Sequence, residues 1–471
     1  MYIPHKQHEV EKIKNELKIK EINDIFEQIT GKNKFFEPNE LGEPLSQQSL
    51  INFFDKLASK IEDYEYLVGA GAYDYFIPPI VESLIRAEFV TSYTPYQPEV
   101  SQGTLKALWD FQSAICEIFN QEVCNSSHYD TATATAEAVL MAKRIYHKKK
   151  PNANTYIVAN SVHPTYQNVL KTYTQPLGIQ PKYLEFNQYG KIDIDALSSI
   201  IDDDVFAIVI QSPNFFGVIE NNIPKLKDIA QDRLVILVVS NPFFYFLQDP
   251  PQVDIVVSNL QPFGIPLSFG GPYLATIATS LKNIREMPGR IIGKTIDKDG
   301  KEAYTMILQT REQHIKREKA TSNICTNQTL MAIRNIIYLM AMGKSNLIKV
   351  AQKSYTNIRH LSRNIEQIGS IKVLFNDVFN ETLLYVPNYH QIYKHLKKNH
   401  KIIFGISLNK FKLSVSFMSN LRKYFDYELS NLVLVCTTEK ISKQKIDQIV
   451  SYISEFDVIK NGAVPKGTYS R

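Results

Sequence analysis

The sequence predicts an α/β protein in which a helical arm precedes a large domain with a mainly parallel sheet and a smaller α+β domain. Apolar runs such as Phe206–Gln211 and Leu234–Val239 are nearly continuous and β-branched, which is typical of parallel strands covered on both faces. Helical segments separate several of these runs, and after Cys325 the pattern changes to a long amphipathic helix and short strands. These observations place the three parts at residues 1–65, 66–327 and 328–471.

Composition limits the classes of function. The chain has 471 residues, which is more than one hydrophobic core usually holds. Its 53 basic and 48 acidic side chains give a formal net charge of +5 that is spread along the chain, so neither nucleic acid nor a membrane surface is an expected partner. The 4 cysteines lie far apart without CxxC spacing, which argues against a metal site or a disulfide framework.

The N-terminal residues MYIPHKQHEVEKIK carry charges throughout and have no apolar core, so no signal peptide is expected. The most apolar run, Leu234–Leu247, contains Ser240 and Asn241 and is shorter than the roughly 20 residues of a membrane span. We therefore expect a soluble, cytoplasmic protein.

Helices and strands can be placed in order along the chain. The arm shows helical spacing of apolar residues with breaks at Pro38 and Pro44. The large domain should contain helices at Pro79–Arg86, Gln102–Phe119 and Thr131–Ala142, the last after the favoured N-cap residue Asp130. Its strands should be Thr155–Ala159, Phe206–Gln211, Leu234–Val239, Asp254–Val257 and a returning strand Tyr273–Thr279.

The C-terminal domain should contain one or two helices over Gln328–Ile368. Short strands are expected at Ile371–Phe375, Thr382–Val386 and Leu432–Cys436, with helices at Gln391–Lys398 and Lys443–Phe456. The final residues, GAVPKGTYSR, are expected to form a tail.

Polar residues follow four predicted strands directly. These groups are Asn160–His163, Ser212–Asn214, Ser240–Asn241 and Ser258–Gln261. Open α/β sheets bind ligands at the carboxyl ends of their strands, so we expect a site where these groups meet.

The order of a large parallel α/β domain and a small α+β domain resembles that of aspartate-aminotransferase-like, fold-type I enzymes that depend on pyridoxal phosphate. Such enzymes need a Schiff-base lysine, an acid beside the pyridinium nitrogen, and a helix N-terminus that holds the phosphate. Here no lysine occurs between Lys227 and Lys282, and the position after the Asp254–Val257 strand falls on Gln261 or Pro262.

The acid is missing as well, and the phosphate site has only a poor candidate. Ser240 or Asn241 stands where the acid should end its strand. Asn125–Asp130 could cradle a phosphate, but the Asp130 carboxylate would repel it and is expected to cap the helix instead. The sequence therefore predicts this fold with a degenerate cofactor site.

Two further positions have alternative interpretations. His163, at a strand end, could stack on a cofactor ring or serve as a hydrogen-bonded loop residue. Gly69-Ala70-Gly71 resembles the opening of a dinucleotide-binding fingerprint, but position 74 is Asp and no strand clearly precedes it.

Two stretches are dense in polar and aromatic residues. Ser92–Thr104 contains Tyr93, Tyr96 and Gln97, held between prolines. Gln309–Asn327 contains five basic side chains before a small polar loop: Arg311, His314, Lys316, Arg317 and Lys319. Composition alone leaves open whether they are functional or form a charged helix and an ordinary linker.

Four motifs, two of which include these stretches, carry a specific resemblance. SYTPYQPEVSQGTLKALWDFQ, GIPLSFGGP, MPGR and REQHIKREKATSNICTNQ resemble the P-protein of the glycine cleavage system. The resemblance is to subunit 1 of the two-subunit bacterial form of glycine dehydrogenase (decarboxylating), and it extends from Tyr2 into the C-terminal domain.

The resemblance implies a function shared with a second chain. Subunit 2 of this family carries the cofactor lysine, so pyridoxal phosphate would be bound by the partner and not covalently by this chain. The two subunits, in a complex that resembles an α2β2 heterotetramer, would together decarboxylate glycine and pass its aminomethyl group to the lipoyl arm of the H-protein. Ser240, Asn241, Gln261 and His163 would then mark a silent copy of the site.

Polar density and family position together select residues that would reach the shared site or face the partner. They are Tyr93, Tyr96, Gln97, Ser101, Lys319, Thr321 and Asn323. Two other functions stay open: a silent scaffold that stabilises subunit 2 or docks the H-protein, and an independent pyridoxal enzyme that uses Lys294 or Lys319.

Overall fold

The computed structural model describes residues 5–31, 42–61 and 63–461, with side chains up to residue 456. Met1–Asp63 and Tyr64–Arg471 form two separate compact units. The predicted break at Pro38 and the predicted C-terminal tail lie outside the described residues. Within these ranges, none of the helices combines the length and the apolar character needed to cross a membrane.

In its described residues the first unit contains three helices: α1 (Gln7–Leu17), α2 (Asn23–Thr30) and α3 (Gln47–Ala58). The Ser46 hydroxyl caps α3 by accepting a hydrogen bond from the Ser49 amide at 3.2 Å. The helical character predicted for this arm is confirmed.

The second unit begins with β1 (Glu65–Tyr66), α4 (Pro79–Ser83), α5 (Ala87–Val90), α6 (Gln102–Phe119), β2 (Val123–Cys124) and α7 (Thr131–His147). Helix α6 has the predicted bounds, whereas the helix predicted over Pro79–Arg86 is interrupted after Ser83. Asp130 caps α7, as predicted, because its Oδ1 accepts a hydrogen bond from the Thr133 amide at 2.8 Å.

A seven-stranded sheet forms the centre of this unit. Its remaining elements are β3 (Thr155–Ala159), α8 (Pro164–Thr174), β4 (Gln180–Leu184), α9 (Ile194–Ile200), β5 (Val205–Gln211), α10 (Ile223–Ala230), β6 (Leu234–Val239), β7 (Ile255–Asn259) and β8 (Ala275–Thr279). The strand order is β2-β8-β7-β6-β5-β3-β4. Strands β4, β3, β5, β6 and β7 are parallel, and β8 and β2 are antiparallel to their neighbours, so the largely parallel sheet is confirmed.

A hairpin and a long helix lead to the C-terminal region. The hairpin consists of β9 (Ile291–Ile296) and β10 (Glu302–Ile307), and the short helix α11 (Gln313–Lys316) follows it. The long helix is α12 (Thr329–Glu366), within which Gly343 is non-helical with φ 66°. The rest is β11 (Lys372–Val373), β12 (Glu381–Tyr385), α13 (Tyr389–His400), β13 (Ile402–Ile403), β14 (Ile406–Ser407), α14 (Val415–Tyr424), β15 (Leu432–Cys436) and α15 (Lys443–Asn461). Four of these strands form an antiparallel sheet in the order β11-β12-β15-β14.

The loop after β5 joins the core of the C-terminal region. Phe216 is fully buried there, with its ring centroid 5.1 Å from that of Phe375. The Ile219 amide donates to the Asp377 carbonyl at 2.9 Å, and the Phe379 amide donates to the Gly217 carbonyl at 3.0 Å. A boundary between residues 327 and 328 stays a prediction.

Four side-chain amides each bind both backbone groups of a single residue, at 2.8 to 3.0 Å. The pairs are Gln102 with Tyr304, Gln112 with Ile292, Gln261 with Tyr73, and Asn420 with Phe186. In each pair the amide oxygen accepts from the backbone N–H and the amide nitrogen donates to the carbonyl. The side chain thus gives the hydrogen bonds that a neighbouring strand would otherwise supply.

Glu220 is a buried carboxyl group in the loop after β5. It accepts hydrogen bonds from the Ile192 amide at 3.1 Å and from Asn214 Nδ2 at 3.0 Å, while Lys191 and Asp377 are its charged neighbours. Burial raises its pKa to about 7, because the charged form loses its hydration.

A Glu220→Gln variant should therefore become more stable relative to the wild type as the pH rises. A folded pKa above the unfolded value contributes stability that is complete below the unfolded pKa and is lost as the pH rises through about 7. Between pH 5 and pH 8 the difference in unfolding free energy should change by about 2 kcal/mol in favour of the variant. Urea titrations at several pH values measure it, and a difference that is independent of pH would contradict the expectation.

Candidate functional site

The structure brings the four residues of the predicted silent site together at the carboxyl edge of the sheet. His163 follows β3, Ser240 and Asn241 follow β6, and Gln261 follows β7. All four are buried. They surround a segment of the same chain, Leu67–Phe76, which we call the internal segment.

Hydrogen bonds hold the internal segment against the strand ends. Gln261 Oε1 accepts from the Tyr73 amide at 2.8 Å, and its Nε2 donates to the carbonyls of Tyr73 and Ile265 at 3.0 and 2.8 Å. Asn241 Nδ2 donates to the Tyr75 hydroxyl at 2.8 Å, and Asn259 Nδ2 donates to the carbonyl of Gly71 at 3.0 Å. The strand-end crevice is therefore occupied by the protein itself.

His163 is a hydrogen-bonded histidine within this arrangement. Its Nδ1 accepts from the Thr165 amide at 3.1 Å, and its Nε2 donates to the Ala70 carbonyl at 3.0 Å. The ring stacks on Tyr166 with centroids 4.6 Å apart. Burial lowers its pKa to about 4, so the ring is neutral at physiological pH.

The segment expected to cradle a phosphate is also buried against the protein. The His128 amide donates to the Ala275 carbonyl at 2.7 Å, and burial lowers the pKa of its ring to about 3. Asp130 places a carboxylate at the N-terminus of α7, where it would repel a second anion.

These residues do not fit pyridoxal phosphate. Gln261, predicted to stand in place of the lysine, is an amide, and Ser240 and Asn241, predicted to stand in place of the acid, are neutral. The Gln261 amide and the Asn241 amide both bind the internal segment, so neither faces an open cavity.

A second candidate site is a surface cavity of about 760 Å³. Tyr93, Tyr96, Gln97 and Ser101 all line it, together with Phe89, Val100 and other residues of the same stretch. Tyr93 is 78% exposed and Tyr96 37% exposed, which is unusual for large aromatic side chains and is typical of contact surfaces.

Arg290 joins this cavity to the second predicted stretch. Its guanidinium lies 5.8 Å from the Tyr96 ring centroid, its Nη2 donates to the Cys325 carbonyl at 2.7 Å, and its Nε lies 3.9 Å from Glu312 Oε2. The His314 ring packs edge-on against Tyr96 at 5.4 Å. The stretches 92–104 and 309–327 are therefore in contact.

The remaining predicted residues lie beside this cavity but do not line it in the described part of the chain. Lys319 and Asn323 are exposed, and the Thr321 amide donates to the Arg311 carbonyl at 2.9 Å. The charged helix considered for this stretch is limited to α11 and adjacent single turns.

Several residues at these sites were not predicted from the sequence. Tyr73 binds Gln261, Glu381 accepts hydrogen bonds from the Ala70 amide and the Tyr73 hydroxyl, and Arg290 lies over the Tyr96 ring. In each case the partners are remote in sequence. Two local signals lay close to them: Arg290 ends the MPGR motif, and Gly69-Ala70-Gly71 precedes Tyr73, with φ of 58° at Ala70 and 94° at Gly71. Residues 69–71 form a turn of the internal segment and not a nucleotide-binding loop.

Lys294 is a poor candidate for a Schiff-base amine. It lies in β9 and forms an ion pair with Glu302 across the hairpin, with both side chains half-exposed. The hydrogen bond with Glu302 raises its pKa, whereas a nucleophilic lysine requires a lowered pKa.

Comparison with known proteins identifies the family. The family model described as glycine cleavage system P-protein matches residues 1–451. The chain belongs to the glycine cleavage system P-protein family. The resemblance seen in the four motifs is thereby confirmed.

Relatives of this P-protein family member cover nearly its full length. A protein of Aquifex aeolicus (strain VF5), named probable glycine dehydrogenase (decarboxylating) subunit 1, is 38% identical over 468 residues, covering 96% of this chain and 100% of the relative. A protein of the same name from Koribacter versatilis (strain Ellin345) is 37% identical over 462 residues, with the same shares covered.

Solved structures confirm the predicted fold class. A crystal structure of glycine decarboxylase (P-protein) in inhibitor-bound form superposes with a TM-score of 0.79 at 30% identity, covering 97% of this chain and 99% of that one. A sphingosine-1-phosphate lyase of Burkholderia pseudomallei gives a TM-score of 0.63 at 12% identity, over 91% and 93% of the two chains, which concerns the fold alone. This P-protein family member therefore has the aspartate-aminotransferase-like, fold-type I architecture of pyridoxal-phosphate enzymes.

Proposed function

We propose that this chain is the subunit of a two-subunit glycine decarboxylase that does not carry the cofactor lysine. With subunit 2 it would decarboxylate glycine and transfer the aminomethyl group to the lipoyl group of the H-protein, in an α2β2 heterotetramer in the cytoplasm. The observation that carries the proposal is the strand-end crevice, which the internal segment fills in place of a cofactor. The proposal is supported by relatives named subunit 1, which match this chain over nearly their whole length.

In this proposal pyridoxal phosphate is bound by the partner, and this chain shapes the shared site. The surface cavity is the part of the chain that fits this role, because Tyr93 is largely exposed there and Tyr96 is partly exposed beside His314 and Arg290. Tyr93, Tyr96, Gln97 and Ser101 would contact the partner directly. Lys319, Thr321 and Asn323 would do so from the neighbouring loop.

Isotope exchange between glycine and bicarbonate tests the proposal. Subunit 2 with lipoylated H-protein should show exchange only when this chain is added. Tyr96→Ala should lower the exchange rate at least about tenfold while the complex still assembles, because an aromatic contact is lost at the shared site. Tyr189→Ala is the matched control, since Tyr189 is also an exposed tyrosine but lies in the loop after β4.

The same experiment separates the alternative of a silent scaffold. A scaffold that only stabilises subunit 2 or docks the H-protein predicts full exchange in every variant that assembles, including Tyr96→Ala and Asn323→Ala. Exchange by subunit 2 alone at the rate of the mixture would contradict the proposed function.

A further inference from the structure

The internal segment is bound from two sides, and only one side belongs to the strand ends. On the other side Glu381, at the start of β12, accepts from the Ala70 amide and from the Tyr73 hydroxyl, both at 2.8 Å. The Tyr73 side chain is almost fully buried between these partners. The segment therefore fills the space between the large sheet and the C-terminal sheet.

Further contacts extend this binding toward the end of the segment. Glu439 Oε1 accepts from the Phe76 amide at 2.7 Å, and the Thr438 hydroxyl donates to the Asp74 carbonyl at 2.8 Å. Lys440 forms an ion pair with Asp74 at 2.6 Å. Hydrogen bonds thus hold the backbone at Ala70, Tyr73, Asp74 and Phe76.

There is little room for the segment to shift. A Cβ atom at Gly69 would lie 2.6 Å from Glu381 Oε2 and 2.9 Å from the Cys436 Cβ and from the Tyr73 ring. Contacts below 3.0 Å require neighbouring atoms to move, so the segment fits its place closely.

The chain runs from this fixed point directly to the surface cavity. Pro78 and Pro79 follow the segment, and Val81 of α4 is fully buried. Arg334 of α12 then holds α4, because it pairs with Glu82 at 2.5 Å and donates to the Gly264 carbonyl at 2.6 Å. The cavity residues begin at Glu88, only a few residues further on.

The other end of the cavity stretch is fixed independently. Gln102, at the start of α6, donates to the carbonyls of Pro98 and Tyr304, both at 2.8 Å. The stretch with Tyr93 and Tyr96 is thus fixed on its C-terminal side by α6 and on its N-terminal side by the internal segment and α4.

We infer that the internal segment serves as a built-in ligand of the silent site, and that Gln261 and Glu381 are positioning residues that set, through it, the placement of the partner-facing tyrosines. This inference rests on the proposed function for its effect on turnover. Its structural part, the anchoring of residues 76–101 by the silent site, stands apart from that function. A degenerate cofactor site thereby keeps a role in the shared active site.

The decisive variant is Gln261→Ala, with Asn420→Ala as its matched control. Each substitution removes a buried amide that binds the N–H and carbonyl of one residue, but Asn420 binds Phe186 and does not touch the internal segment. In Gln261→Ala we expect faster hydrogen exchange of the amides in residues 69–101, and a turnover number for glycine exchange lowered about tenfold in the assembled complex. In Asn420→Ala both readouts should stay within about twofold of the wild type, even if its melting temperature falls equally.

Glu381 gives a second, conservative comparison. Glu381→Gln retains an oxygen that can accept from the Ala70 amide and should keep turnover within about twofold, whereas Glu381→Ala should reproduce the effect of Gln261→Ala. This pair decides the matter if Gln261→Ala fails to fold.

Two results would overturn the inference. One is unchanged hydrogen exchange over residues 76–101 in both alanine variants. The other is equal loss of turnover in Asn420→Ala, which would indicate general destabilisation. If wild-type chain fails to activate subunit 2, the proposed function fails, while the hydrogen-exchange comparison still decides whether the silent site anchors the cavity.

Discussion

Borohydride reduction of the assembled enzyme should attach pyridoxal phosphate to subunit 2 and leave this chain unlabelled. The same result is expected after Gln261→Lys, although this substitution restores a lysine at the strand end. The new amine would replace an amide that binds Tyr73 and Ile265, and the internal segment would still fill the crevice. Burial would also disfavour the charged amine, and the loss of Gln261 Oε1 would leave the Tyr73 amide without its acceptor.

Mass spectrometry of the separated chains measures this labelling. Subunit 2 in the same mixture is the internal control, with one cofactor expected on each copy. Stoichiometric labelling of the Gln261→Lys chain would show that the crevice can open to admit the cofactor. Labelling of the wild-type chain at Lys294 or Lys319 would instead support the independent pyridoxal enzyme.

Gly217→Ala should be among the most destabilising single substitutions, with a loss of about 4 kcal/mol in unfolding free energy. Gly217 has φ +81°, and a Cβ atom there would lie 1.9 Å from the Glu381 carbonyl oxygen. This oxygen belongs to the backbone of β12 and cannot turn aside as a flexible side chain can. The substitution therefore adds a steric clash to an unfavourable backbone conformation.

Gly300→Ala is the matched control for the backbone term. Gly300 has φ +76° but no atom within 4 Å of the built Cβ position. It should cost only about 1 kcal/mol, the usual cost of a left-handed conformation for an L-residue. Chemical denaturation of both variants separates the two contributions, and equal losses would mean that the loop at Gly217 relaxes freely.

The sequence predicts well those elements whose signal is local. Strands such as Leu234–Val239 and Leu432–Cys436 are buried throughout, so an uninterrupted apolar run marks them to the residue. Helix α6 is equally well defined, because its apolar residues recur with helical spacing.

Strands without such a signal escape prediction. Strand β4, QPKYL, carries a proline and a lysine at the sheet edge and is only partly buried, so it lacks both alternation and an apolar run. The hairpin of β9 and β10 is exposed at the end near its turn, where Lys294 pairs with Glu302, so β9 lacks the alternation of a half-buried strand. The strand expected over Ile371–Phe375 is reduced to Lys372–Val373.

The candidate site is predictable only in part for a different reason. The absent lysine can be read directly, but what fills its place cannot, since Tyr73 and Gln261 are 188 residues apart and Ala70 and Glu381 are 311 apart. Hydrogen bonds over such separations leave no periodicity in the sequence. The exposed tyrosines at positions 93 and 96 were found because aromatic and amide residues cluster locally.

The aromatic residues after β5 have a mechanical consequence. Phe216 is buried among residues of the C-terminal region, and the backbone around Gly217 is hydrogen-bonded to residues 377 and 379. A clamshell rotation of that region against the large sheet would break these bonds and expose the aromatic rings to water. We therefore expect the two parts of this chain to stay fixed relative to each other during the reaction. Any opening and closing around substrate would then be a motion of the partner subunit.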